Sequence, residues 1–155
     1  MKIYKLSLLL LFITSLVGCD EDDLLVSNER VTGTGEVKTQ VLFVDNFEAV
    51  DLEGVANVYI ETGKKQSLSI TAYENLLKYM KADVVGDELI IKIRDDIRIN
   101  SDEEIRVDIT IEKLDKVTLS GVGNFYLNGA FQDYIEIELN GVGNIEAYGL
   151  PVYHA

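Results

Sequence analysis

Carboxylates are the side chains best supplied for chemistry. Asp and Glu number 27 in 155 residues against 14 Lys and Arg, for a net charge of −13, with one Cys, Cys19, and one His, His154. Asp95, Asp96, Asp102, Glu103 and Glu104 flank Arg98 and Asn100 within ten residues. Calcium takes about six to eight oxygens, and this stretch supplies several. It has no Gly, however, and its spacing is not that of an EF-hand loop, so the five are weak calcium candidates and no metal site is assigned. Glu136 and Glu138 would share the outward face of a strand, at a separation suited to flanking a glycosidic bond. The same alternation is also the ordinary polar face of a strand, and no Arg or Lys accompanies the pair in sequence. His154 lies one residue from the end of the chain, where a Ser-His-Asp arrangement would fray. Zinc needs three or four ligands, and neither Cys nor His is available in number. The sequence therefore assigns no catalytic residue and no cofactor.

The single Cys excludes a disulfide scaffold, and its position gives it another chemistry. Lys2 and Lys5 precede an apolar run from Leu6 to Thr14, too short to span a bilayer, which needs about 20 residues. The run ends in Leu16-Val17-Gly18-Cys19, which resembles a bacterial lipobox. The resemblance implies that residues 1–18 are a lipoprotein signal peptide and that Cys19 is lipidated. Loss of Lys2 and Lys5 would take the net charge from −13 to −15. Several acyl chains on one residue, at about 0.8 kcal/mol per buried CH₂, anchor a chain stably without a transmembrane helix. An ordinary signal peptide with an incidental Cys, or an uncleaved N-terminal anchor, is the alternative.

Residues 19–30, opening Cys19-Asp20-Glu21-Asp22-Asp23, read as the lipidated Cys and a flexible acidic tether, because like charges repel. Acids directly behind a lipidated Cys resemble the surface-export signal of Bacteroidetes-type lipoproteins. Under the enterobacterial sorting rule, Asp20 would instead mean inner-membrane retention. An outer-membrane anchor is expected, with the surface or periplasmic face open. The negative balance argues against nucleic acid, whose phosphates require clustered Lys and Arg.

From Val31 onward, short apolar and polar alternations of period two recur, including 55–61, 68–72, 89–94, 105–111 and 135–139, separated by Gly, Asn and Asp turns. One short helix is expected near 74–81, where Leu76, Leu77 and Met80 would share a face. The domain at 31–155 is all-β. Leu119-Ser120-Gly121-Val122-Gly123-Asn124-Phe125 recurs as Leu139-Asn140-Gly141-Val142-Gly143-Asn144-Ile145, 20 residues later, with a weaker copy at Leu52-Glu53-Gly54-Val55-Ala56-Asn57-Val58. A strand-turn repeat of this length suits one coil of a parallel β-solenoid. Gly121, Gly123, Gly141 and Gly143 would supply positive φ at corners, Val122 and Val142 would point inward, and Asn124 would stack with Asn144. Gly-Val-Gly-Asn is not a phosphate loop, since no Lys follows, no helix begins there, and the spacing is not the dinucleotide fingerprint.

These repeats, the stretch from Phe47 to Ile60, the segments Tyr73-Glu74-Asn75-Leu76-Leu77 and Gly86-Asp87-Glu88-Leu89-Ile90-Ile91, and the lipobox resemble the putative auto-transporter adhesin, head GIN domain family, over about residues 31–155. The resemblance implies a secreted or lipid-anchored, right-handed parallel β-helix-like solenoid with Gly-Val-Gly-Asn corners. It implies no established activity. Family domains generally continue through further Gly-rich coils, so the C-terminal end reads as short or truncated and uncapped. Three functions follow: a non-catalytic module binding a protein or glycan, an assembly element stacking through its open end, and a carbohydrate-active enzyme such as a polysaccharide lyase or glycosidase. Tyr59 and Tyr126 occupy equivalent repeat positions and suit either core packing or, if exposed, contact with sugar or protein.

Overall fold

The structure is a computed structural model and describes residues 29–129 and 134–149. In chain order its elements begin β1 (Glu29–Thr32), β2 (Val37–Leu42), β3 (Ala49–Leu52), β4 (Val55–Thr62), β5 (Ser67–Tyr73), α1 (Glu74–Leu77) and β6 (Met80–Val85). They continue β7 (Glu88–Ile93), β8 (Ile97–Asn100), β9 (Arg106–Ile111), β10 (Lys116–Leu119), β11 (Val122–Asn128), β12 (Glu136–Leu139) and β13 (Val142–Tyr148).

Period-two patterning decides which way each strand faces. In β4, Ala56, Val58 and Ile60 are buried, and in β9 Val107, Ile109 and Ile111 are buried. Val50 and Leu52 of β3, Leu89 and Ile91 of β7, and Val117 and Leu119 of β10 join them in one core shared by two sheets. The six-stranded sheet runs β13-β11-β4-β9-β5-β2, and the five-stranded sheet β12-β10-β3-β7-β6. From β13 to β9 and from β12 to β7 every pairing is parallel. The chain therefore builds tiers, each giving one strand to each sheet: β12 with β13, β10 with β11, β3 with β4, and β7 with β9. Antiparallel β5 and β2 extend the six-stranded sheet past β9, and antiparallel β6 closes the other past β7. β1 and β8 form a separate parallel pair.

The corner between the two sheets is held by a repeated bond pattern. Ser120 and Gly121 N–H both donate to Leu52 O at 3.0 and 2.6 Å, and one tier on Asn140 and Gly141 N–H donate to Leu119 O at 2.9 and 2.7 Å. Val122 N–H donates to Gly54 O, and Val142 N–H to Gly121 O, each at 2.9 Å. So close an approach leaves no room for side chains. A Cβ on Gly121 would meet Gly54 O, and one on Gly123 would meet Ala56 O.

Several expectations change. The tiers do not follow chain order, because the early copy in β3 and β4 lies between β7/β9 and β10/β11. Three antiparallel strands replace the uniformly parallel stack, and the sheets remain open. Val122 and Val142 point outward, while Phe125 and Leu127 fill the core, because the alternation runs through the glycine corner without a reset: odd-numbered Val117, Leu119, Phe125 and Leu127 face inward, and Val122 shares the outward face of Asn124 and Tyr126. Positive φ occurs at Gly123 (149°) and Gly143 (147°) but not at Gly121 or Gly141, whose requirement is space alone. The helix covers only Glu74–Leu77 and buries Leu76, because Met80 and Lys81 are taken by the antiparallel pairing of β6 with β7. β1 begins at Glu29, so the last two residues of the expected tether pair with β8 instead. Among the described residues no helix is long and apolar enough to cross a membrane, which says nothing of strands.

Candidate functional site

Parallel register lines up equivalent side chains on the outward face of the six-stranded sheet. One row holds Asn57, Asn124 and Asn144, the next Tyr59, Tyr126 and Glu146. β9 continues them with Arg106 beside Asn57 and Asp108 beside Tyr59.

The asparagines form a directional ladder. Asn124 N–H and Nδ2 both donate to Asn57 Oδ1, at 3.0 and 2.9 Å, and Asn144 N–H and Nδ2 both donate to Asn124 Oδ1, at 3.0 and 3.1 Å. The side chains of Asn57 and Asn124 thus each satisfy a backbone N–H of the next tier. At the β9 end, Asn57 Nδ2 donates to Glu104 Oε1 at 2.9 Å, and Tyr59 Oη donates to the same oxygen at 2.9 Å. Glu104 is therefore the anchor on which the ladder ends.

Tyr59 and Tyr126 stack, with centroids 4.7 Å apart and planes 17° from parallel. The Arg106 guanidinium covers the other face of Tyr59 at 3.6 Å. It is oriented by bonds to the Asp108 carboxylate, Nε at 2.8 and 2.9 Å and Nη2 at 2.6 Å. Burial, and after it the hydrogen bond to Glu104, raises the Tyr59 hydroxyl above the ordinary tyrosine pKa. The bonds to Asp108 hold Arg106 above its ordinary value in spite of desolvation. Both tyrosines are half-buried on the outer face rather than in the core.

Next to this array lies a groove of about 330 Å³. Its apolar wall is Val55, Val122 and Ile99, and its polar rim includes Asn100, Glu103 and Glu104. The β8–β9 connection makes one side and the glycine corners the other. Val55 and Val122 stand exposed at 45% and 48%, so the wall is open to a ligand. The arrangement can hold a chain by apolar contact and charge, with an acidic side fixed in place by Asn57 and Tyr59.

The five calcium candidates are not brought together. Asp96 takes two bonds from Arg94, at 2.6 and 2.9 Å, Asp95 lies 3.9 Å from Lys92, Asp102 accepts from Tyr73 Oη at 2.9 Å, and Glu104 holds the ladder. Among the described residues no three His, Cys, Asp or Glu side chains are grouped closely enough for a metal ion. Glu136 and Glu138 do share a face, but Lys116 from the neighbouring strand sits between them at 3.3 and 3.2 Å. That cation was invisible beside them in sequence, being 20 residues away. Leu16, Val17, Gly18, Cys19 and His154 lie outside the described residues. Gly54, Gly121, Gly123, Gly141 and Gly143 line the corners, and Gly123 also lines the groove. Sequence reasoning missed Arg106 and Asp108, whose only signal was an Arg-x-Asp alternation, and missed the groove-facing Val55 and Val122.

The fold and the site together define an all-β protein of stacked, mainly parallel tiers with open sheets, an open groove and an internally paired polar face. The chain belongs to the family described as "Putative auto-transporter adhesin, head GIN domain", which matches residues 46–153. Among solved structures it is similar to a "putative adhesin" from Bacteroides fragilis NCTC 9343, with 20% identity and TM-score 0.66, covering 77% of this chain and 59% of that one. It is similar to a "putative adhesin" from Parabacteroides merdae ATCC 43184, with 21% identity and TM-score 0.63, covering 76% and 54%. A "putative lipid binding protein" from Parabacteroides distasonis ATCC 8503 gives 18% identity and TM-score 0.59, covering 79% and 62%. At these identities the likeness concerns the fold, and the chain spans between 54% and 62% of those proteins. No curated protein matches the chain.

Proposed function

We propose that this chain is a non-catalytic, adhesin-like module of the cell envelope that binds a protein or glycan in the groove beside the asparagine ladder. The groove carries this reading: apolar Val55, Val122 and Ile99 face an acidic rim whose Glu104 is fixed by two donors. Between the two ligand classes, the geometry favours an extended polypeptide with basic side chains. Sugar recognition usually lays a ring against an open aromatic face, whereas Tyr59 is covered by Tyr126 on one side and Arg106 on the other. An extended strand would lie against the apolar wall and meet Glu103 and Glu104.

Export and anchoring complete the proposal. Residues 1–18 are a signal peptide, Cys19 carries lipid on the outer membrane, and the tiers form a short right-handed β-helix-like stack on an acidic tether. Support comes from the Leu16-Val17-Gly18-Cys19 pattern and from the family's description. Immunolabelling of intact and permeabilised cells then tells the surface face from the periplasmic one.

The test is to probe peptide and glycan arrays with the detergent-extracted full-length chain and its Val122→Glu and Glu104→Gln variants. Basic peptides are expected to bind, with at least a tenfold loss in Val122→Glu. Equal binding by all three proteins, or bond cleavage in an array glycan, would overturn the reading, the latter in favour of an enzyme.

A further inference from the structure

Two of the chain's four arginines are given a carboxylate and two are not. Arg94 and Arg106 are each followed two residues later by an Asp, and each forks it: Arg94 donates to Asp96 at 2.6 and 2.9 Å, and Arg106 donates to Asp108 through Nε and Nη2. Arg30 and Arg98 are followed at the same spacing by Thr32 and Asn100, which carry no charge. Among the described residues neither of these two guanidinium groups has a hydrogen bond, an ion pair or a ring contact.

β1 and β8 bring the two together. Their parallel register sets Arg30 beside Arg98 and Thr32 beside Asn100, and alternation puts all four on one exposed face, with Ile97 buried on the other. Neighbouring strands lie about 4.8 Å apart, and like charges side by side on a ladder are destabilising. A chain with 27 acids thus keeps two cations adjacent and supplies neither with an acid two residues on. Two planar forks above a Thr and an Asn make a surface rich in donors, and its complement is a carboxylate.

The pair also continues the groove. Ile99 and Asn100 line the groove, and Arg98 lies two residues before Asn100 on the same face, about 6.6 Å along the strand. On the rim the acids are sorted by what they already hold. Glu104 is engaged by Asn57 and Tyr59 and Asp102 by Tyr73, whereas the Glu103 carboxylate has no hydrogen bond or ion pair among the described residues. We infer that the polypeptide held in the groove carries a carboxylate that docks on Arg98 and Arg30 while its basic side chain meets Glu103. The inference rests on the groove reading and narrows it. The groove alone would accept any basic strand, but the arginine pair requires an acid a few residues from the basic one, in a fixed order along the ligand, and repels a second basic residue at that place.

The test uses the detergent-extracted full-length chain and fluorescent peptides of about eight Val and Thr residues with one Lys, and with Glu, Gln or a second Lys placed a few residues to either side. Fluorescence anisotropy is expected to show one placement at which the Glu peptide binds roughly fivefold or more tighter than the Gln peptide, and the second-Lys peptide most weakly. Arg98→Gln and Arg30→Gln, both at exposed positions, should each bring that ratio toward one, and Arg98→Glu should reverse it in favour of the second Lys. Glu and Gln peptides that bind the unmutated chain alike, as they would if the acids of residues 20–23 held the pair, would overturn the carboxylate site and leave the groove standing. A preference for Glu that survives both Gln variants would do the same. Failure of every peptide to bind would overturn the groove reading and this inference with it.

Discussion

Truncating the three asparagines one at a time should give a graded loss of stability, because the ladder has a direction. Asn57→Ala removes the acceptor of two bonds from Asn124 and the donor that fixes Glu104, and it strands the part-buried Asn124 N–H. Asn124→Ala removes one donor bond to Asn57 and the acceptor of two bonds from Asn144, but Asn144 is exposed and water can replace the loss. Asn144→Ala removes only the Nδ2 bond to Asn124. A net hydrogen bond is worth about 0.5 to 1.5 kcal/mol, and an orphaned buried donor costs about 1 to 3. The expected losses are therefore about 3 kcal/mol for Asn57, about 2 for Asn124 and less than about 1 for Asn144. In a domain of this size 1 kcal/mol moves Tm by roughly 3 to 5 °C, so thermal melts resolve the three. Urea unfolding with unchanged m-values would show that stability alone moved. Equal losses at all three positions, an unchanged melt for Asn124→Ala, or the largest loss at Asn144 would refute the ladder.

Other predictions rest on separate features. Gly123→Ala must place a Cβ against Ala56 O at φ 149° and should prevent folding or cost more than about 3 kcal/mol, whereas Gly35→Ala, with positive φ but open space around it, should cost about 1, as circular dichroism melts would show. Burial, and next the Glu104 bond, raises the Tyr59 pKa, so the folded state resists losing this proton. Its effect on stability is absent below the ordinary tyrosine value and grows destabilising as pH rises through the window between that value and the raised one. Glu104→Gln should bring the Tyr59 absorbance titration down, though not fully to the ordinary value, because burial remains; an unmoved titration would count against the bond. With Asp96 and Asp102 already engaged by Arg94 and Tyr73, calorimetric titration with millimolar calcium should give no heat.

The strands were readable where period-two alternation was long, as in β4, β5, β7 and β9, since a half-buried strand writes its two environments alternately into the chain. β8 was not readable, because Ile97-Arg98-Ile99-Asn100 is four residues set among acids that carry a stronger compositional signal. The helix was overextended because Leu76, Leu77 and Met80 satisfy either a helical face or, as occurs for Met80, a strand. Of the candidate site, Asn57, Asn124, Glu104, both tyrosines and the pairing of Asn124 with Asn144 could be named in advance, but the partners of Glu104 and the Arg106 contact with Tyr59 could not.

By itself the sequence determined the β class, the repeat and its glycine requirement, and the acidic balance, all of which depend on residue type and near-neighbour spacing. Only the tertiary structure decided that the copy containing Asn57 stacks directly beneath Asn124, 67 residues away, that Lys116 lies between Glu136 and Glu138, and that Val122 turns outward to wall a groove. Those facts depend on which tier rests on which. Register across parallel strands is fixed by hydrogen bonds and core packing between distant segments, and no local pattern in either segment records its neighbour.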